Sequence, residues 1–256
     1  MGRSDARPRI GRTPRIRTRI EVALCMNRSG MRRRLELVGY VLGAAASAVL
    51  VGGSLLHRLP MDITEVLGFV TGAWSVWLTV KENIWNWPIG VANSAFYVIV
   101  FAHARLFADS GLNALYVILG LLGWYWWLRG GENRGVLHVG RTSVTAGAVL
   151  LALGVLATLG MTRFLTSVND SAPFLDALTT VLSLIAEFML ARKLLENWYF
   201  WMTADVIYIG LYAYRSLYLT SVLYVIFLTM CVAGWWRWSA VLRLGRAEIA
   251  PEPIRA

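Results

Sequence analysis

Apolar residues run along this chain in long blocks separated by short polar intervals. The blocks cover Leu35–Leu56, Ile63–Val80, Pro88–Ala102, Leu112–Leu128, Val144–Met161, Phe174–Ala191, Trp198–Tyr214 and Ser221–Trp236. None alternates apolar and polar positions with the period of two that marks a half-buried strand. Each is long enough, with some tilt, to cross a hydrocarbon core of about 30 Å. Lipid admits only helices or closed barrels, because every backbone N–H and C=O there must be paired within the protein. The pattern therefore predicts eight spanning helices and an all-α integral membrane protein whose constant partner is the lipid bilayer.

Composition agrees: of 256 residues 57% are hydrophobic and only 16% charged, where soluble domains average about 25% charged. The net charge of +10 changes the picture only through its placement. Eleven arginines precede residue 35, from Arg3 to Arg34. Residues 1–34 read as a disordered basic arm lying on anionic headgroups, not as a nucleic-acid site. Met26 and Met31 are alternative starts within it. The first helix, 35–57, has a second reading as a secretory signal ending at Ala46-Ser47-Ala48. Cys25 and Cys231 are too few for a disulfide framework or a metal site.

Basic residues also set the orientation. One set of alternate loops holds Lys81, then Arg129, Arg134 and Arg141, then Arg192 and Lys193, and the C-terminal end, with the tail over 239–256, adds Arg237, Arg243, Arg246 and Arg255. The other set holds one each: Arg58, Arg105, Arg163 and Arg215. By the positive-inside rule both termini are expected in the cytoplasm of a bacterial inner-membrane protein.

The blocks also repeat. Ile63–Trp127 matches Phe174–Trp238 without a gap at the spacing that separates Gly123 from Gly234, which is 111 residues. Asn86-Trp87 meets Asn197-Trp198, Tyr97 meets Tyr208, Ser110 meets Ser221, Gly123-Trp124 meets Gly234-Trp235 and Trp127 meets Trp238. Three helices per copy is an odd number, so the helix at 143–162 must turn the second copy back. The expected architecture is 3+1+3: two parallel three-helix repeats, 62–128 and 174–238, joined by a linker helix, with an extra N-terminal span outside the plan. Parallel repeats of this kind occur in transporters whose substrate sits between them near the midplane.

The candidate chemistry lies on polar stripes within these spans. Asn86, Gly90, Asn93 and Tyr97 share one helical face, and Asn197, Trp201, Asp205, Tyr208 and Tyr212 share its counterpart. Asn113, Tyr116 and Trp124 form a stripe in the third span of the first repeat; Tyr224, Cys231 and Trp235 do so in the second. Thr179, Thr180 and Ser183 suit interhelical hydrogen bonds, and Trp74, Trp85, Trp87, Trp126, Trp236 and Trp238 suit interfacial belts. Glu187 and Asp205 are different. They are carboxylates at depth with no Lys or Arg inside a span to neutralise them, a costly arrangement that marks a substrate or ion path. His57, His103 and His138 are scattered, so neither an enzyme centre, a metal site nor a cofactor is expected.

With these residues in view the chain resembles the bacterial nicotinamide riboside transporter family, PnuC, over 62–238. The resemblance is carried by Asn-Trp-Pro-Ile-Gly (86–90) with Asn93, Leu-Phe-Ala-Asp-Ser (106–110) and Gly-Trp-Tyr-x-Trp (123–127). Ala-Arg-Lys-x-x-Glu-Asn-Trp (191–198), Trp201, Asp205, Leu-Tyr-Leu-Thr (217–220) and Gly-Trp-x-x-Trp (234–238) carry it in the second repeat. It implies a fold related to the SWEET sugar transporters, a homotrimer, and uptake of the NAD precursor nicotinamide riboside by facilitated diffusion, followed by cytoplasmic phosphorylation that traps it. Two positions depart from the pattern: Asn113 stands where Gln is expected, and Glu187 where a neutral amide is common. The short loop Ala104–Gly111 departs from the longer loop of riboflavin-type members. A flat pyridinium cation suits Trp and Tyr faces, and the expected substrate-binding set is Asn93, Tyr97, Asn113, Tyr116, Trp124, Glu187, Asn197, Trp198, Trp201, Asp205, Tyr208, Tyr212 and Tyr224. Rocking of the two bundles would expose this set alternately, with Gly130, Gly131 and Gly135 as flexible elements. The alternative is a proton-coupled or uniport carrier of riboflavin, thiamine or a deoxynucleoside, with Glu187 as proton carrier in the coupled case.

Overall fold

Among the described residues, eight α-helices occupy the eight apolar blocks. The computed structural model describes residues 36–58, 63–105, 107–169, 171–214, 216 and 218–249. The basic arm, Leu106, Leu217 and the end of the tail lie outside these residues. The helices are α1 (Glu36–Leu55), α2 (Ile63–Val80), α3 (Asn86–His103), α4 (Phe107–Arg129), α5 (Val144–Ser167), α6 (Pro173–Ala191), α7 (Asn197–Tyr214) and α8 (Tyr218–Ile249). α1, α4, α5, α6 and α8 contain stretches long and apolar enough to cross a membrane. The 18-residue helices α3 and α7 fall short of that mark because Asn86, Asn93, Asn197 and Asp205 interrupt them. Two helices run past the ends expected from hydropathy. α5 continues to Ser167, and α8 reaches Ile249 through a stretch containing several Arg, Ala and Leu, residues that favour helix whether or not lipid surrounds them.

The chain divides into two compact units, one ending at Val66 and one running from Leu67. In the first, α1 exposes Leu37, Val38, Val41, Leu42 and Val49 along its length.

Within the second unit the repeat is visible atom by atom. α3 and α7 start and end 111 residues apart, and so do the starts of α4 and α8. Ser110 Oγ donates to the Val98 carbonyl at 3.0 Å, and Ser221 Oγ to that of Ile209 at 3.1 Å. Trp87 meets Trp127 edge-on at 5.4 Å and 86°; Trp198 meets Trp238 at 5.4 Å and 84°. A methyl group on Gly123 would collide with the Trp87 ring, and one on Gly234 with that of Trp198. The paired Gly-Trp signal in the sequence is thus a close-packing requirement: the glycine vacates the space its repeat's indole occupies.

Contacts between the repeats are reciprocal. Trp127 Nε1 donates to the Leu190 carbonyl at 3.1 Å, and Trp238 Nε1 donates to that of Thr79 at 3.2 Å. Position 190 is the counterpart of 79 and 238 of 127, so each copy does to the other what is done to it, as in an isologous interface. Contacts between equivalent positions then fall where the copies meet: Trp127 lies 6.0 Å from Trp238, and Lys193 Nζ pairs with Glu82 Oε2 at 3.0 Å. Trp87 and Trp238, expected as interfacial anchors, are instead buried in this core. Four indoles meeting largely edge-to-face bury far more area here than they would at a headgroup boundary. Trp85 and Trp236, at 64% and 66% exposed, remain on the surface.

Glu82 and Lys193 also hold left-handed backbone, each at φ 55°. The helices before them close in the same way, with Asn83 N–H reaching the Leu78 carbonyl and Leu194 N–H that of Met189, both at 2.9 Å. Glycine is the usual residue at such a closure. Charged residues stand here instead, and they are the two that join the repeats.

Between α4 and α5, beyond the glycines expected as flexible elements (Gly130, Gly131 and Gly135), the chain is fastened to the α6–α7 turn. Gly140 N–H donates to the Lys193 carbonyl at 3.0 Å and the Leu195 N–H to that of Gly140 at 2.9 Å. Glu196 Oε2 accepts from the Thr142 N–H and hydroxyl at 2.8 and 2.9 Å, and Lys193 Nζ donates to the Leu137 carbonyl at 3.0 Å. The strap answers unsatisfied polar groups of the α6–α7 turn, a demand that glycine content does not reveal.

Candidate functional site

Helices α2, α3, α4, α6, α7 and α8 surround a chamber of about 350 Å³. Its size is at the lower end of that of small-molecule sites. α2 supplies Gly72, Ser75, Val76 and Thr79; α3 supplies Asn86, Trp87, Gly90, Val91, Asn93 and Ser94; α4 supplies Tyr116 and Gly120. From the second repeat come Ser183, Glu187 and Leu190 of α6, Trp198, Trp201, Ala204, Asp205 and Tyr208 of α7, and Tyr224, Phe227 and Cys231 of α8.

The Trp core closes one end of this space. Trp87 and Trp198 line it and pack behind on Trp127 and Trp238. Asn86 Nδ2 donates to Thr79 Oγ1 at 3.1 Å, and Ser75 Oγ to the Asn86 carbonyl at 3.1 Å, tying the start of α3 to α2. Pro88 sits in the first turn of α3, where its missing N–H costs nothing. Asn86 Oδ1, Trp87 Nε1, Asn197 Oδ1 and Trp198 Nε1 are buried without a hydrogen-bond partner. The same two atoms, an Asn Oδ1 and a Trp Nε1, recur at equivalent positions, so the polarity at this end is a property of the repeat and not an accident of one copy.

Midway along the helices Asn93 Nδ2 donates to the Gly68 carbonyl at 2.9 Å and to Thr71 Oγ1 at 2.6 Å. Its amide nitrogen is spent within the protein, which leaves Oδ1 as the atom it can offer a ligand. Asp205 is buried, and its Oδ2 accepts from the Cys231 thiol at 3.4 Å, a weak donor. Glu187 has neither a hydrogen bond nor an ion pair among the described residues, and no Lys, Arg or His lines the chamber. Tyr208 and Tyr224 stand 4.7 Å apart at a tilt of 33°, with Tyr212 stacked against both. The arrangement can hold a compact cation against aromatic faces and carboxylates; it offers no basic side chain to an anion. Among the described residues no group of His, Cys, Asp and Glu could hold a metal ion.

Of the expected set, Asn93, Tyr116, Glu187, Trp198, Trp201, Asp205, Tyr208 and Tyr224 line the chamber together. Five do not. Tyr97 stacks on Phe101 at 5.4 Å and fills the notch at Gly68. Asn113 Nδ2 turns back to the Asp109 carbonyl at 2.9 Å, and Trp124 packs against the buried core. Asn197 is buried beneath the wall, bonded to the Leu194 carbonyl, and Tyr212 forms the back of the tyrosine stack. Sequence reading missed Ser75, Thr79, Ser94, Gly72 and Gly120, and assigned Ser183 to helix contacts although it lines the chamber. Small residues give no signal of their own. The repeat was the available clue, since Ser94 and Gly120 are counterparts of Asp205 and Cys231.

Residues 62–240 match the family model described as "Nicotinamide mononucleotide transporter". The nicotinamide riboside transporter PnuC of Escherichia coli (strain K12) is 24% identical over 200 residues, covering 68% of this chain and 84% of that protein. The protein of the same name from Neisseria mucosa is 27% identical over 187 residues, covering 68% and 71%. The riboflavin/roseoflavin transporter RibM of Streptomyces davaonensis is 22% identical over 180 residues, covering 68% and 84%. A solved structure, "Crystal structure of the Vitamin B3 transporter PnuC", superposes with a TM-score of 0.59 at 23% identity over 79% of this chain and 92% of that one, a likeness of fold.

Proposed function

The chain belongs to the nicotinamide mononucleotide transporter family, and on that premise we propose that this multi-pass membrane protein carries nicotinamide riboside. One observation supports the riboside over the mononucleotide that the family description names. Among the described residues the chamber presents two carboxylates and several aromatic faces and no basic side chain. A pyridinium cation gains about 0.5–2 kcal/mol from each aromatic face it meets, and Asp205 and Glu187 offset its charge. A phosphate brought there would meet two acids and, among the described residues, no basic partner.

Transport would proceed by alternating access, with two parallel three-helix bundles in the 3+1+3 order rocking about the chamber. The reciprocal indole bonds and the Glu82–Lys193 pair support that order, because they join the same ends of the two repeats. These contacts are also the ones that rocking would have to loosen. Facilitated diffusion, a homotrimeric assembly and both termini in the cytoplasm complete the proposal; the concentration of basic residues in one set of loops supports the orientation. The likeness to RibM favours riboflavin as the second cargo to test, whereas the connection between α3 and α4, shorter than the expected Ala104–Gly111 because Phe107–Gly111 belong to α4, favours the riboside.

Uptake of labelled nicotinamide riboside into proteoliposomes, challenged with an excess of unlabelled competitors, decides between them. Unlabelled riboside should abolish the signal while riboflavin, thiamine and nicotinamide mononucleotide leave most of it. Strong competition by riboflavin or by the mononucleotide would replace this reading.

A further inference from the structure

The two sides of the chamber come from equivalent positions but carry different chemistry. At the 111-residue spacing Val76 corresponds to Glu187, Gly90 to Trp201, Ser94 to Asp205 and Gly120 to Cys231. In each of these pairs the first repeat has the smaller residue, and both carboxylates belong to the second. Other pairs divide the opposite way in polarity. Thr79, Asn93 and Tyr116 of the first repeat stand against Leu190, Ala204 and Phe227 of the second. One wall is therefore anionic and aromatic, with apolar residues between. The other is uncharged, rich in hydroxyl and amide groups, and recessed at Gly72, where nothing lies within 4 Å of a would-be Cβ.

Neither wall is dictated by the fold, since the same backbone positions accept both sets of residues. A ligand with one cationic aromatic end and one hydroxylated saturated end fits such a chamber in one direction only. Reversed, its charge would lie against the wall that has no counter-charge, while both carboxylates would be left to the uncharged sugar. We infer that the cargo is bound in a single orientation, with its cationic ring against the second repeat and its sugar against the first. Glu187, Trp201 and Asp205 then set selectivity for ring charge, while Asn93 and Ser94 set selectivity for sugar hydroxyls. The assignment rests on the proposal that the cargo is a pyridinium nucleoside. Asn93 offers its Oδ1 acceptor to a hydroxyl, its nitrogen being engaged. Ser94 lies on the same helix one position on and corresponds to the acid.

The experiment compares three substrates in proteoliposomes: nicotinamide riboside, its uncharged 1,4-dihydropyridine form, and the 2′-deoxy analogue of the cation. Glu187→Gln and Asp205→Asn are near-isosteric changes. Each should cut the preference for the charged over the reduced ring on the order of tenfold while leaving the ribose-over-deoxyribose preference within about twofold. Ser94→Ala should do the reverse. Thermal protection of each purified variant by the three substrates gives the same ratios where uptake is too slow to measure. If Ser94→Ala alters the charge preference and the carboxylate variants alter the deoxy preference, the orientation is inverted and the inference is overturned. Equal changes in both ratios overturn it too. Wild-type protein that takes up none of the three overturns the riboside reading itself, and the orientation with it.

Discussion

Asp205 shows how little the protein does to stabilise its own charge. It is buried, and the Cys231 thiol is the hydrogen-bond donor it meets; a ligand cation would therefore find it poorly satisfied. Asp205→Asn is expected to lower riboside uptake at least about tenfold, the scale of one charge-assisted hydrogen bond, as read from initial rates in vesicles. Gly234 makes the opposite kind of demand. Gly234→Ala places a methyl in the Trp198 ring and should destabilise the protein by about 1–3 kcal/mol. Gly210→Ala, with open space around it, should be neutral or mildly stabilising. Thermal unfolding in detergent distinguishes the two. At this scale the sequence was informative where a residue is unusual for lipid: Glu187, Asp205 and Trp201 were legible as chamber residues. It was silent for Ser75, Ser94 and Gly72, because serine and glycine are common in any packed membrane helix. It misled at Asn113, whose short side chain bonds its own helix instead of reaching inward.

Helices and turns were more legible than side chains. Hydropathy located all eight helices, and the gapless 111-residue match fixed their equivalence. The strap over 136–142 was not legible, because backbone bonds to a distant turn leave no periodic trace, and hydropathy alone ended α8 too early, because a helix outside lipid need not be apolar. The α2–α3 and α6–α7 turns carry the sharpest test at this scale. Lys193→Met removes the partner of Glu82, the hydrogen bond to the Leu137 carbonyl and a cation stacked 4.6 Å from the Trp127 ring. Glu82 is about one-fifth exposed, so the loss should be about 1–3 kcal/mol, short of the value for a fully buried pair. Because 82 and 193 are equivalent positions, the exchanged pair Glu82→Lys with Lys193→Glu should recover most of the ion-pair part. It should not recover the contacts to Leu137 and Trp127. Melting temperatures of the two single variants and the double variant measure that recovery.

For the whole molecule, facilitated diffusion of a cation predicts that riboside uptake runs without a pH gradient and, with the membrane voltage clamped at zero, stops when the concentrations inside and outside are equal. Accumulation above that level in vesicles given only a proton gradient would favour the coupled alternative. The arrangement of the repeats also bears on how such a chain assembles. An indole of each half seeks a carbonyl that the other half presents, yet each half presents the same kind of carbonyl itself, at Thr79 or at Leu190. In a membrane crowded with newly inserted chains, two front halves could therefore dock on one another, and so could two rear halves. The charges at the meeting point forbid it: front against front sets Glu82 beside Glu82, and rear against rear sets Lys193 beside Lys193. A duplicated sequence has made itself monogamous with one acid and one base.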